Sequence, residues 1–386
     1  MNRSAPRVTW RSVLRGIGRL LLGVVLAIAI FVAFSAVMRL QSVTLPAPTG
    51  PSAVGRTELA LTDTARLDPF ASDGRTREIA AWIWYPAVDG VSGATAQFLP
   101  PAWASLEHDL GPLSQDLNAV RSNSLVNPPL KGRPPVVVLM PGLGQPVASY
   151  TTLAEDLASH GYAVVGINPS ASADVVFPDG HVVPASTLGA VSGTTIDDWY
   201  ASAERVTNVW AADAAFVVSS LETSHPVIGE LDFDNVAYVG HSLGGAASFE
   251  ACRQDVRCAA AVDLDGTLWT EVRHSGLEAP SLLLQAAPGD TCDGFCARAT
   301  EDFATVSATS GTQRFAIEGS EHMNFTDVGL MWGPPNALVL GSIGADRMNV
   351  ITRDLVLSFL DAHVRDAPAT GVSEVAARYP EVEAVD

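Results

Sequence analysis

Acidic residues are missing from the first 40 residues of this chain, and basic ones are scarce in the rest. Residues 1–40 hold six arginines and no Asp or Glu, so the remainder holds 17 basic against 42 acidic side chains, a formal balance of −25. Such a surface repels nucleic acid and anionic lipid headgroups, so no nucleic-acid partner is expected. No protein partner is evident, and nothing repeats along the chain. Cysteine is sparse as well. Cys252, Cys258, Cys292 and Cys296 are spaced C-x5-C and C-x3-C without histidine partners, which does not make a zinc site. In an exported domain an even number permits two disulfides, with the pairing open. Disorder is excluded for most of the chain by its 47% hydrophobic residues and eight Trp. A length of 386 residues accommodates one α/β domain of roughly 300 residues with appendages.

The appendage at the N-terminus stands out by charge. Arg3, Arg7, Arg11, Arg15 and Arg19 precede an uncharged run from Leu20 to Met38, LLLGVVLAIAIFVAFSAVM. At ~1.5 Å per residue this run nearly spans a hydrocarbon core of ~30 Å, and it is longer than the apolar part of a cleavable signal. The arginines predict that the N-terminal end stays in the cytoplasm and the rest is exported, giving a single-pass protein with its domain outside. The alternative is a signal cleaved after Ala33-Phe34-Ser35 and a secreted product. The expected organisation is a basic segment with a transmembrane signal anchor over 1–40, a linker over 41–73, a catalytic-size domain over 74–366 and a tail over 367–386. The linker is inferred from a Pro-, Thr-, Ala- and Gly-rich stretch without sustained period.

Within the domain, apolar runs alternate with helical patterns. Strands are expected at Ile79–Tyr85, Pro135–Met140, Tyr162–Ile167, Val236–Val239, Ala259–Leu264, Ser281–Gln285 and Arg314–Ile317. Helices are expected at Thr152–Ser159, Trp199–Leu221, Leu243–Ala251 and Met348–Val364, where apolar residues recur at three- and four-residue spacing. The alternation predicts an α/β fold with a mostly parallel sheet flanked by helices, whose ligands bind at the carboxyl ends of the strands.

One such end carries Ser242, in NVAYVGHSLGGAASFEAC. G-x-S-x-G alone is a weak signal, and a tight turn with close-packed backbones would also explain Gly240 and Gly244. The strand before it and the helix after it supply the setting of a nucleophile elbow, in which a strained turn pushes the hydroxyl clear of the sheet. A serine needs a base, and the base needs a group that holds its tautomer. Of the histidines after Ser242, His322 follows the last expected strand on a loop at a carboxyl edge. His274 and His363 have structural explanations. For the acid, Asp263 and Asp265 end the strand after the elbow helix and Asp290 ends the next strand; topology suits all three. An oxyanion hole needs two inward N–H groups. Leu243 follows the nucleophile, and Leu143 lies in PGLGQ after the apolar VVVLM, where Gly142 and Gly144 let the backbone turn.

From about Arg77 to Val364 the chain resembles the plasma-type platelet-activating-factor acetylhydrolase family of α/β-hydrolase serine esterases. The resemblance rests on IWYPA, PVVVLMPGLG, LAEDLASHGYAVVGIN, VVFPDG, GHSLGGA, DLDGTLW, EGSEHMNFTD and LGSIGADRMNVITRDLVLSFLDAHV, in the family order. It implies an α/β-hydrolase fold with Ser242 as nucleophile, His322 as base, Asp265 as acid, and Leu143 and Leu243 as oxyanion donors. Two segments depart from the family's pattern: Pro141-Gly142-Leu143-Gly144 replaces His-Gly-Leu-Gly, and Asn168-Pro169-Ser170-Ala171 replaces an H-P-Y-D-like segment. Both bear on the acyl pocket, so the implied substrate is a small-molecule or lipid ester without a defined acyl group. No cofactor is implied. The expected activity is ester hydrolysis through an acyl-enzyme. The alternatives are a catalytically idle hydrolase fold used for binding or envelope structure, and a peptidase or polyester hydrolase on the same fold.

Overall fold

Runs of Val, Leu, Ile and Ala too short for helices form the middle of one sheet. The computed structural model describes residues 10–40, 42–106, 116–224, 230–287, 294–331, 340–365 and 370–385. Its strands are β1 (Val54–Leu67), β2 (Thr76–Pro86), β3 (Thr95–Gln97), β4 (Arg121–Val126), β5 (Pro135–Met140), β6 (Ala163–Asn168), β7 (Val175–Val176), β8 (Val182–Val183), β9 (Asp232–His241), β10 (Cys258–Leu264), β11 (Ser281–Ala286), β12 (Gln313–Ile317) and β13 (Val382–Ala384). The helices are α1 (Trp10–Leu40), α2 (Thr151–Ser159), α3 (Ile196–Ser224), α4 (Leu243–Gln254), α5 (Val272–Ser275), α6 (Gly294–Ser310), α7 (Val328–Met331), α8 (Ala345–Val364) and α9 (Val372–Ala376).

Among the described residues eleven strands form one sheet in the order β13-β12-β11-β10-β9-β5-β6-β2-β1-β4-β3, and β7 and β8 form a separate pair. From β6 to β12 all pairings are parallel, with Val138 of β5 beside both Val165 of β6 and Tyr238 of β9. Parallel strands packed on both faces read as continuous apolar runs, and Val136–Leu139 and Ala163–Val165 are fully buried. Antiparallel pairings join β2 to β6, β1 to β2, β3 to β4 and β12 to β13. The mostly parallel sheet flanked by helices is what the strand–helix alternation predicts, and the architecture is the α/β-hydrolase fold that the family resemblance implies.

Two expected boundaries are corrected. The 41–73 linker contains β1, which pairs antiparallel with β2 over almost its whole length. Thr57, Leu59, Leu61 and Asp63 are buried while Ala60, Thr62 and Thr64 are exposed. That is a period-two pattern, in which polar Thr and Asp take apolar places and hide the strand. The 367–386 tail is likewise part of the domain. Val372, Val375 and Tyr379 are buried, and β13 adds an edge strand with Val382 opposite Ile317.

Away from the parallel block, Arg77 of β2 has no exposed surface. Its guanidinium meets Asp213 of α3 at 2.7 Å and Asp68 at 3.1 Å, so a buried charge is matched by two carboxylates. Helix α1 is different again: its apolar side chains, such as Leu20, Leu26 and Ile30, are exposed rather than packed on the domain. Val13–Val37 contains an 18-residue stretch with a mean hydropathy of 2.9 and is long enough to cross a membrane.

Candidate active site

β9 passes into α4 through a single residue, Ser242, whose φ of 56° and ψ of −123° are strained for a residue with a Cβ. Neighbouring glycines make the turn possible. A Cβ on Gly240 would lie 2.1 Å from the Gly244 carbonyl oxygen, and one on Gly244 would lie 2.3 Å from the carbonyl oxygens of Met140 and Pro141. The Ser242 N–H donates to the Leu264 carbonyl at 2.9 Å, and its carbonyl accepts from Gly245 and Ala246 at 3.0 and 3.2 Å. The backbone is thereby fixed on both sides, and the side chain reaches a cleft of about 470 Å³.

His322 lines the same cleft, in a short 3-10 turn (His322–Phe325) just beyond β12. Its Nδ1 lies 2.6 Å from Asp265 Oδ2. A carboxylate only accepts, so Nδ1 carries the proton and Nε2 is left as the basic nitrogen. Asp265 follows β10 with φ 58°, donates its N–H to Leu284 O at 2.7 Å and accepts the Ala286 N–H on Oδ1 at 2.7 Å. Burial opposes its charge, yet the hydrogen bond and charge of His322, with the Ala286 N–H, hold its carboxyl below the ordinary value.

Asp263 behaves differently. It is wholly buried beneath α4, where a Cβ on Gly245 would lie 1.8 Å from its Oδ1, and it accepts the Gly266 N–H at 2.8 Å. Burial raises its pKa well above the ordinary value, against the Gly266 N–H and with the nearby charge of Asp265. Of these two strand-end aspartates, Asp265 is the one hydrogen-bonded to His322. Asp290 lies outside the described residues.

Leu243 opens α4, so its N–H belongs to the positive end of a helix dipole, and Leu143 lies across the cleft between Gly142 and Gly144. Around them the walls are apolar and aromatic: Val191, Trp199, Trp269 and Phe303. Two further residues escape a search confined to histidines after Ser242. His241 precedes the serine directly, and Tyr150 lies against its ring at a centroid distance of 5.7 Å. The open cysteine pairing resolves in part: Cys252 at the end of α4 is bonded to Cys258 at the start of β10. Cys292 lies outside the described residues. Among the described residues no three His, Cys, Asp or Glu are grouped to hold a metal.

Known proteins with similar sequences and folds carry esterase names. Residues 202–366 match the family model described as platelet-activating factor acetylhydrolase, isoform II. A probable 1-alkyl-2-acetylglycerophosphocholine esterase from Arthroderma benhamiae is 26% identical over 256 residues, 61% of this chain and 62% of that protein. The chain therefore spans less than two thirds of that relative's length. The platelet-activating factor acetylhydrolase of Cavia porcellus is 24% identical over 323 residues, 74% of this chain and 69% of that protein. Among solved structures, a ferulic acid esterase from Streptomyces cinnamoneus aligns with TM-score 0.76 and 29% identity, over 90% of this chain and all of the other.

Proposed function

We propose that this chain, similar to the platelet-activating factor acetylhydrolases in sequence and to a ferulic acid esterase in fold, is a serine-dependent carboxylic ester hydrolase. The observation that carries the proposal is the hydrogen bond from His322 Nδ1 to Asp265, at the wall of the cleft that also holds Ser242. In this reading Ser242 Oγ attacks the ester carbonyl while His322 Nε2 takes its proton. The N–H groups of Leu143 and Leu243 stabilise the oxyanion, and His322 returns the proton to the departing alcohol. Water then repeats the sequence on the acyl-enzyme. Asp265 keeps Nδ1 protonated and offsets the positive charge that forms on the ring.

The aromatic walls favour a compact apolar or aromatic acyl group. p-Nitrophenyl esters of graded chain length, hydroxycinnamate esters and peptide anilides, assayed side by side, separate the readings. Turnover of esters alone is expected; turnover of anilides alone makes the protein a peptidase, and turnover of neither makes the fold a binding scaffold.

The exposed apolar surface of α1 supports membrane retention with the hydrolase domain outside, and β1 and β13 extend that domain beyond 74–366 in both directions. The strongly acidic domain gains nothing from anionic headgroups, so retention depends on the helix. High salt should release nothing from membranes, and protease added outside spheroplasts should digest the domain. A mature protein free in the medium and beginning near Ala36 contradicts the anchor.

A further inference from the structure

Behind His322, which lines the cleft, lies a second histidine ring that the proposed reaction does not use. His241 is buried, at 1% exposure, and its ring centroid is 4.5 Å from that of His322. Its Nε2 lies 3.0 Å from the His322 carbonyl oxygen, which only accepts, so Nε2 carries the proton. Nδ1 is then an acceptor. The group 2.7 Å from it is the Tyr150 hydroxyl, which donates, and the same hydroxyl accepts the Gly142 N–H at 2.9 Å. All three bonds run one way, from Gly142 through Tyr150 and His241 to the His322 carbonyl.

Burial holds the run in this one protonation state. It pushes the His241 pKa down to about 3, with the charge of neighbouring His322 acting in the same direction, and it raises that of the Tyr150 hydroxyl. A neutral His241 also places no like charge beside His322 when that ring is protonated during turnover. The two loops are fastened again nearby. Asp327 donates its N–H to Ser149 O at 2.7 Å and accepts the Thr152 N–H at 3.0 Å.

We infer that Tyr150 and His241 are positioning residues, which set the oxyanion turn at Leu143 and the base His322 relative to each other through one directed run of hydrogen bonds. The inference rests on the reading of Ser242, His322 and Asp265 given above. Neither residue touches the reacting atoms, so their removal should lower kcat rather than raise KM.

The test uses full-length protein in detergent. Tyr150→Phe keeps the ring but leaves the Gly142 N–H and His241 Nδ1 without their partner; His241→Gln can meet the His322 carbonyl but not the Tyr150 hydroxyl as well. Each should lower kcat by about 10²-fold, the size of a ~1 Å misplacement, with KM nearly unchanged. Affinity for a boronic acid, whose adduct with a nucleophilic serine is a tetrahedral anion, should fall by the same factor while the thermal transition stays cooperative. Where one variant does not fold, the other reads the same bonds. Wild-type kcat and boronate affinity in a folded variant overturn the inference, and so does a rise in KM alone. Ser242→Ala is assayed in parallel. If it keeps activity, the nucleophile assignment fails; if it is inactive while Tyr150→Phe is unimpaired, only the positioning role fails.

Discussion

Strands β1–β4, joined mainly by antiparallel pairings, and the parallel block from β6 to β12 share one sheet, yet only the second carries the proposed chemistry. The turn with Leu143 follows β5, Ser242 follows β9, Asp265 follows β10 and the His322 turn follows β12. Parallel strands bring all their carboxyl ends to one edge, so residues far apart in sequence meet there. Antiparallel neighbours alternate their ends and cannot gather side chains in that way. What the antiparallel side supplies is burial and charge matching, in Trp82, Trp84 and the Arg77–Asp213–Asp68 cluster. The lesson is that one sheet can separate stability from chemistry by strand direction.

The comparison breaks most sharply at the end of β10. If Asp265 holds the tautomer of His322, Asp265→Asn should lower kcat by on the order of 10³–10⁴. Asp263→Asn, at a carboxyl whose pKa burial pushes up and which is engaged with Gly266 rather than His322, should leave kcat within the same order of magnitude. Steady-state kinetics on both variants check the pair; the opposite ranking would move the acid to Asp263.

A smaller effect is expected on the antiparallel side. Arg77→Met leaves Asp213 and Asp68 buried with less compensation and should cost about 3–5 kcal/mol of stability, toward the lower end because Arg66 also meets Asp213. Urea unfolding gives the stability and active-site titration gives kcat per folded molecule. Stability should fall and kcat should not. Unchanged stability with lost kcat would erase the separation between the two regions.

The smallest effect concerns pH. His241 faces His322, Asp265 and Tyr150, and its folded pKa of about 3 lies below an unfolded value of ~6.5. Between those values the unfolded chain binds a proton that the folded chain does not, so this residue erodes stability as pH falls, by about 1.4 kcal/mol per unit. His241→Gln removes that contribution. Its stability deficit against wild type should therefore shrink between pH 6 and pH 4, whereas parallel curves would mean that His241 is charged in the fold.

Much of the parallel block was legible because its physics is local. Pro135–Met140 is a strand to the residue, and the glycines around Ser242 announce a turn that no larger residue permits. β1 was hidden because a half-buried strand alternates, and its inward places hold Thr57 and Asp63 beside Leu59 and Leu61. β13 was hidden because Val382–Ala384 is too short to carry a pattern and is defined only by pairing with β12. The partnership of Tyr150 with His241 spans 91 residues, and nothing in either residue's neighbourhood announces it. Topology left Asp263, Asp265 and Asp290 equivalent. Family likeness favoured Asp265, and the geometry adds that its carboxylate meets His322 while that of Asp263 turns under α4.

The central claim, that Ser242 is the nucleophile activated through His322, is tested most directly by covalent labelling with a fluorophosphonate followed by peptide mass mapping. A single adduct on Ser242 is expected, with activity lost in proportion to labelling and no adduct in Ser242→Ala or His322→Ala. Full occupancy of Ser242 with ester hydrolysis intact, or loss of activity through an adduct on another residue, would contradict the account.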